Sequence, residues 1–456
     1  MSEIRLLSRH AATILVGQLA VIAFGVADTV IAGRYSDAAL AALSVGSALY
    51  ISVYVGLIGI VQALLPIWAE MLGARRHEAV GRSLRQSLYL CGFISIAGMA
   101  ALLFPGVLLR WAQVPDLMQD EVQRYLAVLA FAFVPSLLFR LYATLNQSLG
   151  KPRLVTWLQI AALGLKIPLS IWLVAGGGGI DAMGAVGCAW ATLVVNYILL
   201  LLAVVMLHTQ DIYQPYGIWR RMERPDWPQL RTFARLGIPG GLAYLVEVTS
   251  FTLMALFIAR LGTIASASHQ IAASVAAVLY MMPLSMAVAC SARVSFWLGA
   301  GRPDHAKHVV FMGLKLTALI ALVLAATISI AGPLLAGWYS ATPEVVALAS
   351  TLLVWVAFYH VADAMQALCA FLLRCYRITM APLALYGVLL WGLGLFGGYQ
   401  LAYAGLAGRA ATQAASSFWA ASTLAIALVA ACLLGLLLYT VRRSCQPAPA
   451  DSTQAA

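Results

Sequence analysis

Charge is what this chain has least of: only 10% of its 456 residues are charged, against roughly 25% in soluble domains. Acidic side chains are the scarcer kind, 17 Asp and Glu against 28 Lys and Arg. With a hydrophobic share of 62%, so little charge argues against a water-soluble fold. The seven cysteines form no CxxC pair and sit mostly inside apolar stretches, so they read as small buried hydrophobes rather than zinc or redox ligands. The net charge of +11 does not mark a nucleic-acid surface, because the basic residues fall in short runs between apolar segments.

What is present is a series of apolar runs from residue 11 to residue 440, each near the roughly 20 residues that a bilayer requires. Uninterrupted windows predict twelve membrane helices, near 11–33, 44–68, 88–110, 124–147, 154–176, 184–207, 235–261, 270–297, 309–333, 345–368, 380–405 and 417–440. Arg5 and Arg9 precede the first run, which contains Asp28; it reads as a span and not as a removed signal. An even number of spans puts both termini on one side. Segments on that side carry 19 of the 28 Lys and Arg, and the opposite loops only Arg34, Arg110, Arg124, Arg260 and Arg409. Both termini are therefore predicted to be cytoplasmic, in a multi-pass protein of the cell inner membrane. The basic segment 208–234 reads as a linker between an N-lobe, 1–207, and a C-lobe, 235–440; the polar tail 441–456 is expected to be disordered.

The two lobes resemble each other. Shifted by 226 positions, Arg34 aligns with Arg260 and Leu72-Gly73-Ala74 with Leu298-Gly299-Ala300; two residues of drift later, Pro115-Asp116 meets Pro343-Glu344. The predicted fold is thus an all-α integral membrane protein, two six-helix repeats related by a pseudo-two-fold axis along the membrane normal. Such repeats are a transporter signature. No buried carboxylate is duplicated: Glu247 aligns with Val21, Asp363 with Pro135 and Asp28 with Met254.

A charge near the bilayer centre costs about 2.5–3.5 kcal/mol or more, so each one retained is a functional candidate. The predicted spans hold Asp28, Glu247 and Asp363, accompanied by Lys166 and Arg293. A carboxylate deprived of water can trade a proton or a partly stripped cation, which is coupling chemistry. Glu247 follows Gly237, Pro239, Gly240 and Gly241, a bendable stretch. Tyr359 stands one turn before Asp363 on the same face, where its ring can cover a cation.

Together, Asp28-Thr29-Val30-Ile31-Ala32-Gly33, Gly237-Ile238-Pro239 with Glu247, Ala267-Ser268-His269-Gln270-Ile271-Ala272, Met282-Pro283-Leu284-Ser285 and Ala362-Asp363-Ala364 resemble the multidrug and toxic compound extrusion (MATE) family, NorM-type branch. The resemblance covers residues 8–440. It implies twelve helices in two lobes, efflux of lipophilic and often cationic drugs by alternating access, and an inward flow of Na+ or H+ as the driving force, with no cofactor. It also implies that Glu247, Gln270, Tyr280, Tyr359 and Asp363 line a cation and substrate cavity in the C-lobe. Glu247 and Asp363 would be the ligands of a sodium ion, and Asp28 the N-lobe carboxylate. This chain departs from many relatives in having Lys166 and Ser170 where two asparagines stand in span five. Lys166 is placed to pair with Asp28, either as a proton switch or as a means of silencing that site. The expected partners are small-molecule drugs and the bilayer, no nucleic acid, and no second subunit. A lipid-linked saccharide flippase would need more Arg and Lys in its chamber than Lys166 and Arg293, and an enzyme built on His360 and Asp363 would lack any further motif.

Overall fold

A computed structural model describes residues 3–106, 109, 116–405 and 410–445. Among the described residues, twelve helices are long and apolar enough to cross a membrane. They are α1 (Glu3–Tyr35), α2 (Asp37–Gly73), α3 (His77–Leu103), α4 (Met118–Ser148), α5 (Pro152–Ala175), α6 (Ala185–Thr209), α7 (Trp227–Ala259), α8 (Thr263–Gly299), α9 (Pro303–Tyr339), α10 (Pro343–Cys375), α11 (Met380–Ala404) and α12 (Ala415–Ser444). The only extended pairing among the described residues is a single bridge between Gly177 and Ile180. Arg110 and Arg409, used above to orient the chain, and the tail beyond Cys445 lie outside the described residues.

Most helices run beyond the apolar windows that announce them. α3 begins at His77 rather than near 88, and α10 ends at Cys375 rather than near 368. A window stops where side chains turn polar, but the backbone keeps its i→i−4 bonds until something else satisfies them. One consequence is that Arg374, expected in a cytoplasmic segment, is a buried residue in the last turn of α10.

Several helices lack a backbone donor in their interior. Pro135, Pro168, Pro239, Pro283 and Pro333 stand inside α4, α5, α7, α8 and α9, and each removes one intrahelical bond. α2 breaks at Ala63 into Asp37–Gln62 and Leu64–Gly73. α11 is widened into π-helical turns over Tyr386–Phe396 and Gln400–Ala404, a geometry often found at functional positions.

Two large apolar cores hold these helices. One draws mainly on residues from Ala32 to Leu236, the other on residues from Ala243 to Val441. The first half of α1 belongs to the second core, through Leu7, Ala11 and Ile14, whereas Ala32 near its end belongs to the first. The linker does not hang free. Tyr213 and Tyr216 are buried in the first core, and the Tyr213 hydroxyl donates to Asn146 Oδ1 over 2.7 Å. Arg85 forms a two-pronged ion pair with Glu223 and also donates to the Gly217 carbonyl over 2.6 Å. Gln86 donates to the Arg224 carbonyl and accepts from the Asp226 amide.

The two halves press together on the side that carries the termini. A methyl group on Gly73 would lie 1.9 Å from the Phe296 carbonyl oxygen, and one on Gly299 the same distance from that of Glu70. Further in, a methyl on Gly241 would lie 2.3 Å from the Gly56 oxygen. Only glycine allows backbones so close. Two ion pairs join the halves at this end, Glu3 with Arg293 and Glu70 with Arg377.

Candidate functional site

The C-half carboxylates meet through a residue that sequence reading passed over. Gln366 lies three positions after Asp363 on α10, so both side chains project from one face. Its amide nitrogen is 3.0 Å from Asp363 Oδ1 and 3.3 Å from Glu247 Oε1 on α7. The two carboxylate oxygens are thus at most about 6.3 Å apart, the span of those two bonds end to end. The other end of the amide is fixed too: Tyr386, at the start of the widened part of α11, donates its hydroxyl to Gln366 Oε1. One neutral amide thereby serves two acids, and a tyrosine on a third helix sets its orientation. The i+3 spacing of Gln366 from Asp363 was a readable signal for the first link; nothing local marks Tyr386, twenty residues further on.

Glu247 borders two cavities. One is lined with it by Ser250, Phe251, Met254, Tyr359, Leu395 and Ser422. The other is lined with it by Tyr244, Tyr280, Phe371, Arg374 and Tyr386. The first extends along α7 away from the side of the termini, the second toward it. Asp363, 5% exposed, sits behind this boundary and touches it through Gln366.

The aromatic residues divide between the cavities. Tyr359 is buried, its ring edge-on to Phe251 at 5.6 Å and to Trp419 at 5.9 Å, so it is a fixed wall of the first cavity. Tyr280 lines the second. Gln270 joins neither: it is exposed, ten residues before Tyr280 on α8. That separation is about 15 Å along the axis and about 80° around it, which accounts for its distance from the group.

In the N-half, Asp28 and Lys166 form an ion pair with Nζ 3.0 Å from Oδ2. Lys166 is 1% and Asp28 8% exposed. The remaining valences are filled: Lys166 donates to Thr192 Oγ1 over 2.6 Å and lies 5.9 Å from the Phe24 ring centre, and Ser170 donates to Asp28 Oδ1 over 3.2 Å. The pair ties α1 to α5. Arg293, named above with Lys166, is instead an inter-half contact through Glu3, stacked near Phe296 and Trp297.

Among the described residues no three His, Cys, Asp or Glu side chains gather into a metal cluster. A sodium ion at Glu247 and Asp363 would find carboxylate oxygens of the right hardness. Gln366, however, turns its NH2 toward those oxygens, so a cation would need this amide to withdraw or reverse.

Known proteins bear on this arrangement in three ways. The MatE family profile matches twice, over residues 13–172 and 239–400; the starts lie 226 residues apart and the ends 228, the same offsets at which the chain aligns with itself. The chain is 37% identical over 438 residues to a probable multidrug resistance protein NorM of Aromatoleum aromaticum, covering 96% of this chain and 94% of that one. It is 34% identical over 402 residues to the protein of the same description from Chromobacterium violaceum, covering 87% and 86%, and 32% identical over 408 residues to multidrug resistance protein MdtK of Pectobacterium atrosepticum. In fold it superposes on the eukaryotic MATE transporter AtDTX14 with a TM-score of 0.86 at 18% identity, covering 96% of this chain and 97% of that one. A twelve-helix membrane fold, full-length likeness to NorM proteins and a profile that fits each half in turn lead to one conclusion: this chain belongs to the MATE family of membrane transporters.

Proposed function

We propose that this chain is a multidrug exporter of the plasma membrane that exchanges lipophilic, often cationic compounds for inward-moving Na+ or H+. The observation that carries the reading is the position of Glu247 between two cavities, joined through Gln366 to Asp363. A carboxylate reachable from two sides can hold a cation from one or a substrate from the other. Competition for that single group is what exchange requires. A cation bound between Glu247 and Asp363 removes their mutual repulsion and frees Gln366 to turn, and Tyr386 carries that change to α11. Closure on the side of the termini, with those termini cytoplasmic, corresponds to a state that faces outward. The names of the NorM and MdtK relatives support the substrate class. Asp28 would act as a second, separately tuned site under the influence of Lys166, in a protein that works as a monomer.

Dye efflux from cells tests the reading: Asp363→Asn at wild-type expression is expected to lose export, and clearance at the wild-type rate overturns it. Proteoliposomes given a sodium gradient alone, then a pH gradient alone, identify the ion. Reporter fusions at each terminus check the orientation.

A further inference from the structure

Arg374 is a buried charge without an ion-pair partner among the described residues. It is 7% exposed in the last turn of α10, and no carboxylate lies within ion-pair distance of it among the described residues. Its Nη1 makes no hydrogen bond. The guanidinium is held instead by surfaces: 4.5 Å from the Phe371 ring centre, 5.4 Å from that of Tyr244, and about 3.5 Å from where a side chain on Gly240 would begin. Leaving a buried charge unpaired is expensive, and aromatic faces offset only part of that cost. The unpaired group lines the second of the two cavities, whose wall also includes Glu247. The Tyr244 hydroxyl stands in the same wall, beside Tyr280, without a well-formed hydrogen bond.

Two opposite charges thus face one cavity without touching each other, separated by aromatic rings. We propose that Arg374 is the anion anchor of a subsite for amphoteric substrates: the carboxylate of an aromatic zwitterion docks on its guanidinium while the cationic end faces Glu247. The fork of N–H donors matches a carboxylate, Tyr244 adds a donor, and the rings of Tyr244, Phe371 and Tyr280 receive a flat scaffold. Among cations of equal size, those with a carboxylate gain an attraction, and those without one meet a repulsion at Arg374. The subsite rests on the exporter reading but predicts a selectivity that exchange alone does not.

The test uses one fluorescent xanthene dye in two forms, the free carboxylate, a zwitterion, and its methyl ester, a cation. Binding to purified full-length protein is followed by anisotropy. Wild type is expected to prefer the zwitterion, and Arg374→Gln to lower the acid-to-ester affinity ratio by at least about tenfold. Arg374→Lys, which keeps charge but not the fork, should retain a ratio between the two. Arg302→Gln, an exposed basic residue in the loop after α8, removes the same net charge and should leave the ratio unchanged. A wild type without preference, equal losses on both dyes, or a lysine variant no better than glutamine overturns the subsite. Because a buried unpaired charge is removed, Arg374→Gln should melt no lower than wild type; a lower melting temperature with an unchanged ratio makes Arg374 a structural residue and also overturns it. Efflux of the ester by cells is read separately, so the exporter reading can stand if the subsite falls.

Discussion

Removing one member of the Asp28–Lys166 pair should cost far more than removing both. At 3.0 Å, two unit charges in a medium of effective dielectric about 20 attract by at most about 5–6 kcal/mol before desolvation is charged against them. Asp28→Asn keeps the acceptor for Ser170 but leaves Lys166, 1% exposed, with only Thr192 and the Phe24 ring. An uncompensated buried charge of this kind destabilises by about 3–5 kcal/mol. Lys166→Met strands Asp28 in the same way. The double variant Asp28→Asn/Lys166→Met removes both charges and should recover most of the loss, giving a coupling energy of at least about 5 kcal/mol. Thermal unfolding of the four purified proteins, followed by size-exclusion chromatography with fluorescence detection, orders them: wild type and double variant high, both single variants low. If the single effects add to within about 0.5 kcal/mol, the two groups are not coupled, and the pair does not hold α1 to α5.

Three further outcomes follow from the same geometry. Gln366→Leu removes the donor shared by Glu247 and Asp363, and hydrogen bonds to charged groups are worth about 1.5–3 kcal/mol each; dye efflux at matched expression should fall at least about tenfold, with a smaller loss for Tyr386→Phe, and undiminished efflux removes Gln366 from the site. Gly73→Ala forces α2 away from α8, an overpacking cost of about 1–3 kcal/mol; distances between spin labels at the termini-bearing end should lengthen and broaden, and an unchanged distribution refutes the tight crossing. The Arg85 guanidinium beside Glu223 holds that carboxyl below its ordinary value of 4.5, so the ion pair stabilises linker docking above that value and loses its contribution as the pH falls through the lower, folded one. Proteolysis of the linker should therefore accelerate in wild type only once the pH has fallen below 4.5, whereas Arg85→Gln should be cut readily at neutral pH; equal resistance of the two proteins would discount the clamp.

The number and order of the helices were legible because a bilayer demands long apolar runs, and so were the acids, because charge inside such runs is rare. Asp28 and Lys166 are a pair within reach of the sequence because each is conspicuous in its own span. What escaped reading was polar but uncharged. Gln366 and Tyr386 carry no anomaly on their own, and only the crossing of α7, α10 and α11 makes them one unit with Glu247. Arg374 was misplaced for a related reason. Hydropathy locates where side chains turn polar, not where the helix stops, and its guanidinium folds back over Tyr244 and Phe371 instead of reaching water.

The clamp on the linker bears on how the two halves are joined. With residues 213–226 bound down on the N-half, and Leu230, Phe233 and Leu236 packed in its core, the chain leaving the linker passes from the N-half core to the C-half core between Leu236 and Ala243. That passage is Gly237-Ile238-Pro239-Gly240-Gly241-Leu242. The long connection is ballast, and the axle is six residues of α7. α1 makes the opposite crossing, from the C-half core at Ile14 to the N-half core at Ala32. A chain nicked in the linker should therefore still assemble and move as one machine, while stiffening those six residues should stop it with every ligand contact intact.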